Sequence, residues 1–128
     1  MTADPSGRTV AAASLLRRWI EREARVAVAT QPLRRALNQR EHYTDLRGVH
    51  HPLSAMSIAE ASLVLALLER HAITLHRGEL AEHLLRLEEP CWQSETAVEG
   101  YGTLATTAAE DWLRQTPLHH ALTERTSQ

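Results

Sequence analysis

An all-α fold, or a mainly α fold carrying a small β-hairpin near residues 42–53, is what this sequence predicts: four to five helices around a central buried helix. Three observations carry that expectation. Apolar residues recur at intervals of three and four along most of the chain, the period of helices with one face in a core. The stretch Ser57 to Ala72, SIAEASLVLALLERHA, is apolar around nearly its whole circumference, and such a helix is a buried one. Phe is absent and the aromatics are three Trp and two Tyr, so the core falls to Leu, Ala, Val and Ile. The 128 residues suit one domain, expected over residues 9–122 between flexible tails at 1–8 and 123–128.

The first helix is expected to begin near Thr9, after Pro5 and Gly7, and to place Ala12, Leu15, Leu16, Trp19, Ile20, Ala24 and Ala27 toward the core. Pro32 disfavours helical geometry in the residue before it, so a kink or restart is predicted near Thr30 and Gln31, with a short second helix carrying Leu33, Ala36 and Leu37. From Glu41 the pattern changes. His42-Tyr43-Thr44 and Val49-His50-His51 flank a turn that Asp45 opens and Gly48 closes, which predicts the hairpin. Pro52 limits its second strand. Ser57 followed three residues later by Glu60 forms a capping box and starts the central helix. A break is predicted between Thr74 and Gly78, because glycine costs about 1 kcal/mol relative to alanine inside a helix. A helix from Gly78 to Leu87 then turns Leu80, Leu84 and Leu87 inward. Pro90 ends it. Ser94 caps a last long helix showing Val98, Tyr101, Ala105, Ala108 and Trp112 on one face, and Thr116-Pro117 stops that helix before a final short turn.

Charge and cysteine usage bound the setting. Net charge is −2, but residues 1–47 hold a balance of +4 and residues 48–128 one of −6. All fourteen basic residues are Arg. The single cysteine, Cys91, gives no intramolecular disulfide and suits a reducing compartment. Its neighbours Glu88, Glu89 and Glu95 would raise a thiol pKa, which disfavours a nucleophile. The first fourteen residues lack the basic region and apolar core of a secretory signal, and the longest apolar run, Leu63 to Leu68, is far short of the about 20 residues that span a bilayer. A cytoplasmic chain that meets no membrane is the expectation.

Three clusters are candidates for chemistry or binding. His76, Glu79 and His83 share one face if a single helix spans them, and imidazole and carboxylate groups so placed suit a divalent metal in a metal-dependent enzyme. The predicted break at Gly78 would disperse them. The pairs His50-His51 and His119-His120 point to different sides of their elements and do not chelate alone. Arg17, Arg18, Arg22, Arg25, Arg34 and Arg35, with Arg40 beyond, form a basic surface suited to a phosphate backbone without sequence readout. Residues 87–113, where a recognition helix would have to lie, contain no basic residue. Trp19, Trp92 and Trp112 are candidate interface anchors. No Gly-rich phosphate loop, nucleophile elbow or paired-cysteine motif occurs, and no cofactor is implied.

The run Tyr43 to Ala72, with Tyr43-Thr44-Asp45, Gly48, Leu53, Met56-Ser57 and the ending LALLERHA, resembles a pattern in uncharacterised small proteins of high-GC actinobacteria and their phages. The resemblance covers about a quarter of the chain and implies a shared local fold without an activity. The function these observations favour is a small non-enzymatic interaction or regulatory module that binds another protein or a second copy of itself. A nucleic-acid-associated protein and a metal-dependent enzyme are the alternatives.

Overall fold

The computed structural model describes residues 5–45, 47–87 and 95–127. Among the described residues, α1 spans Pro5–Ala36, strands β1 and β2 span His42–Thr44 and His50–Pro52, and a 3-10 turn over Leu53–Ala55 leads into α2, Ile58–Arg70. Helices α3 (Ala72–Leu87), α4 (Glu95–Thr106), α5 (Ala109–Arg114) and α6 (Pro117–Thr126) follow. The mainly α expectation with one small hairpin holds. Both expected tails are partly helical, since α1 begins at Pro5 and α6 continues to Thr126. Cys91, Trp92 and the Ser94 cap lie outside the described residues.

No restart occurs at Pro32: α1 is one helix of 32 residues that contains it. Proline removes the N–H that would bond the Val28 carbonyl. Val28 and Pro32 both lie on the exposed side of the helix, where that carbonyl faces solvent rather than a core. The opposite side of α1 carries Ala27, Thr30 and Arg34, all buried.

The hairpin forms as its turn chemistry predicts. Tyr43 pairs with His51 in antiparallel register, flanked by His42 with Pro52 and Thr44 with His50. Gly48 takes a φ of +81°, the left-handed conformation that glycine reaches without strain. Asp45 Oδ1 accepts the backbone N–H groups of Arg47 at 2.8 Å and Val49 at 3.0 Å. His51 Nε2 donates to Asp45 Oδ2 at 2.8 Å. That bond, more than the backbone donors, holds the Asp45 carboxyl below the ordinary carboxylate range. The Tyr43 ring stacks on His51 with 6.2 Å between centroids.

Two expectations about the centre are corrected. Helix α2 is capped as read, with Ser57 Oγ accepting the Glu60 N–H at 3.1 Å, but it is not enclosed. Only Ala61 and Leu68 within it are buried, and Leu63 is 72% exposed. The chain turns at His71 rather than between Thr74 and Gly78, and α3 runs through Gly78 without a break. The hub is α3, which packs on α1, α4 and α5. Its buried residues are Ala72, Leu75, His76, Gly78 and Ala81, whereas Leu80, Leu84 and Leu87 are only half-buried. The expected last long helix divides at Thr107–Ala108 into α4 and α5, and Leu113 rather than Trp112 is the fully buried residue there.

The core lies where α2, α5 and α6 meet the end of α1 and the hairpin: Leu37, Leu53, Met56, Leu68, Leu75, Leu113, Leu118 and Leu122. The Leu118 N–H donates to the Leu37 carbonyl at 3.0 Å. Arg125 Nε and Nη2 both donate to the Met56 carbonyl, at 3.0 and 2.8 Å, and tie α6 to the entry of α2.

Candidate functional site

Leu16, Ile20, Glu23, Ala27, Thr30, Arg34 and Leu37 are spaced alternately by four and three, so they form one seam along α1. From Glu23 to Arg34 the seam lies against α3, and in this covered part Glu23, Thr30 and Arg34 are polar, with Ala27 the apolar member. Arg34 is 5% exposed. Its Nη1 donates to Glu79 Oε2 at 2.7 Å and Glu82 Oε2 at 2.6 Å, its Nε to Thr30 Oγ1 at 2.9 Å and its Nη2 to the Ala27 carbonyl at 2.7 Å. The hydrogen bond from Arg34 holds the Glu82 carboxyl below its usual range. Arg77 Nη2 reaches Glu23 Oε1 at 2.6 Å. Gly78 sits at the closest approach: a Cβ there would overlap Thr30 Oγ1. Among the described residues no buried side-chain polar atom lacks a partner.

Beyond Glu23 the seam changes character. Leu16 is 55% and Trp19 41% exposed, and Leu15 beside them is 64% exposed. These residues were expected in the core. The reason they are not is length: α1 has 32 residues and α3 has 16, about 48 against 24 Å at 1.5 Å per residue. The N-terminal half of α1 therefore outruns the helix that covers its C-terminal half. Arg18, Arg22 and Arg25 fall together on one flank of the exposed apolar stripe, at 100° per residue. Among the described residues no ion pair holds Arg17, Arg18, Arg22 or Arg25.

The other residues singled out from the sequence separate. His76, Glu79 and His83 do share α3, but each has its own business. His76 Nε2 donates to the Leu104 carbonyl at 2.9 Å, and its ring meets Trp112 edge-on with 5.6 Å between centroids. Glu79 is bound by Arg34, with His83 Nε2 at 3.6 Å from its other oxygen. Among the described residues no three His, Cys, Asp or Glu side chains gather as a metal site would require. Arg34 is withdrawn from the basic surface by its burial, while Arg35 and Arg40 stay exposed. Trp112 is half-buried as a packing partner of His76, and among the described residues Trp19 is the tryptophan left exposed.

One pair escaped the sequence. His119 is buried, with Nε2 3.2 Å from Glu69 Oε1 across fifty residues of chain. The pair borders a small cavity lined also by Ala72, Glu110, Leu113 and Arg114. An imidazole oriented by a carboxylate can move a proton, but no Ser, Thr, Cys or Lys lines the cavity, and the contact serves to hold α6 on α2. No periodicity signals such a pair, since its members belong to different helices.

No protein-family model matches this chain, and neither a curated protein nor a solved structure shows significant similarity to it. Among the described residues no helix is long and apolar enough to cross a membrane.

Proposed function

We propose that this chain is a non-enzymatic protein-interaction module that binds its partner along the exposed stretch of α1 at Leu15, Leu16 and Trp19. One observation carries the reading: among the described residues the seam holds Glu23, Thr30 and Arg34 where α3 covers it, while Leu15, Leu16 and Trp19 stand exposed at its other end. Domains ordinarily place these the other way round, and an exposed apolar stripe rimmed by charge is the usual mark of a binding surface. Trp19 is the anchor, being large, rigid and costly to leave in water. Arg18, Arg22 and Arg25 select a partner whose own apolar residues are bordered by acids.

Affinity capture with purified protein as bait tests the reading. The wild type should retain a specific partner that Leu16→Glu and Trp19→Ala both lose while their circular dichroism and Tm remain those of the wild type. Retention by both variants would refute the assignment to α1.

A second reading rests on the guanidiniums of Arg17, Arg18, Arg22 and Arg25, which form no ion pair among the described residues and suit a phosphate backbone. A gel shift at low salt decides it. Binding that weakens steeply with added salt and falls in Arg18→Ala/Arg22→Ala supports nucleic acid as the partner; no shift at low salt removes it.

A further inference from the structure

Helix α2 carries an apolar face that stays exposed among the described residues. Ala59, Leu63, Ala66 and Leu67 all lie on it, Leu63 at 72% and Leu67 at 42% exposure. Glu60, Leu63, Leu67 and Arg70 follow at spacings of three, four and three, so they form a single seam whose order is acid, apolar, apolar, base. Among the described residues neither the Glu60 carboxylate nor the Arg70 guanidinium has an ion-pair partner.

We propose that α2 is a self-association face on which a second copy of this chain docks in antiparallel register. A seam of that order complements itself when turned end for end. Centred on Leu65, the antiparallel pair sets Leu63 opposite the partner's Leu67 and Glu60 opposite the partner's Arg70, and two-fold symmetry repeats both contacts. A parallel pair instead stacks Glu60 on the partner's Glu60 and Arg70 on the partner's Arg70, which like-charge repulsion disfavours. Ala59 and Ala66 flank the seam with small side chains and let the helix axes approach to the about 8–10 Å of packed helices. The helix has 13 residues, about 20 Å. That length buries less than the roughly 800 Å² per partner of a standard stable interface, so the dimer is a weak one that forms as concentration rises. The face is separate from the α1 stripe, and the two proposals stand or fall independently.

Sedimentation velocity across a concentration series tests it, with Val98→Ser, an exposed position on α4 outside both surfaces, as the control that leaves association unchanged. Wild type should show a monomer–dimer equilibrium, and Leu63→Glu should weaken it by at least roughly tenfold, since two carboxylates then enter the apolar layers. Glu60→Arg makes both ends of the seam positive and Arg70→Glu makes both negative. Each alone should weaken self-association by roughly 3- to 10-fold, and an equimolar mixture of the two should restore it, because only opposite chains then complement each other. If a charge variant fails to fold, Leu63→Glu decides alone, its position being 72% exposed. Three outcomes overturn the proposal: a wild type monomeric at about 1 mM, a dimer unaffected by Leu63→Glu, or charge variants whose mixture is no stronger than either alone.

Discussion

Arg34 and Gly78 set the terms on which α1 meets α3. Arg34 is a buried cation whose charge is answered by Glu79 and Glu82, each still about a quarter exposed. Replacing it with Met keeps the stem and strands two carboxylates side by side. Arg34→Met should cost about 2–3 kcal/mol at neutral pH by urea denaturation, toward the low end for a broken buried pair because the carboxylates keep some water. The sign of its pH dependence follows from Glu82. Its carboxyl is lowered from an ordinary value of 4.5 by the Arg34 hydrogen bond. The stabilisation is therefore complete above that value and is lost as pH falls through the lower, folded one. The difference between wild type and Arg34→Met should narrow as pH drops below about 4.5; a constant difference down to acid unfolding would contradict it. At Gly78, alanine raises helix propensity by about 1 kcal/mol yet drives a methyl into Thr30. The net should be a loss of about 1–3 kcal/mol, partly recovered in Gly78→Ala/Thr30→Ala, as thermal melts of the single and double variants would show. Glycine in mid-helix read as a break in the sequence because the reason for it stands 48 residues upstream in Thr30, and no local window contains both.

At the scale of elements, legibility follows whether the information is local. The hairpin was readable because Asp45 and Gly48 make a turn with their own backbone. The start of α2 was readable for the same reason, and Ser57→Ala should lower stability by about 1 kcal/mol in denaturant titration, with no change in secondary structure beyond the first turn of α2. The surroundings of α2 were not readable. An all-round apolar helix announces that something covers it, but not whether the cover belongs to the same chain. Leu63 and Leu67 answer that question only once the positions of α3 and α6 are known. Likewise, the stripe at Leu15, Leu16 and Trp19 was correctly periodic and wrongly placed: period fixes which residues share a face, while the length of the opposing helix fixes how much of that face is buried. The basic flank of α1 was legible in Arg18, Arg22 and Arg25, but the withdrawal of Arg34 from it depended on Glu79 and Glu82.

Taken as a whole, the described residues place the core around the end of α1 and leave Leu15 to Trp19 exposed on the same helix. A helical segment with few tertiary contacts is only marginally stable in water. Backbone amides from Leu15 to Arg22 should therefore exchange with solvent much faster than those from Ala27 to Arg34, and a bound partner should slow the first group selectively. Hydrogen exchange read by mass spectrometry would show it, and uniform protection along α1 would argue that the stretch at Leu15 to Arg22 is covered already. The polar lock between the helices then has a mechanical consequence. An oily seam would let α1 slip along α3 by a turn, trading one leucine contact for another. Here a slip would tear a guanidinium from two carboxylates and drive Thr30 away from the gap that Gly78 leaves for it. The stretch of α1 that carries Trp19 thus behaves as a lever clamped at its root: its reach is fixed, and a load taken at Trp19 is delivered to α3 as torque rather than dissipated as sliding.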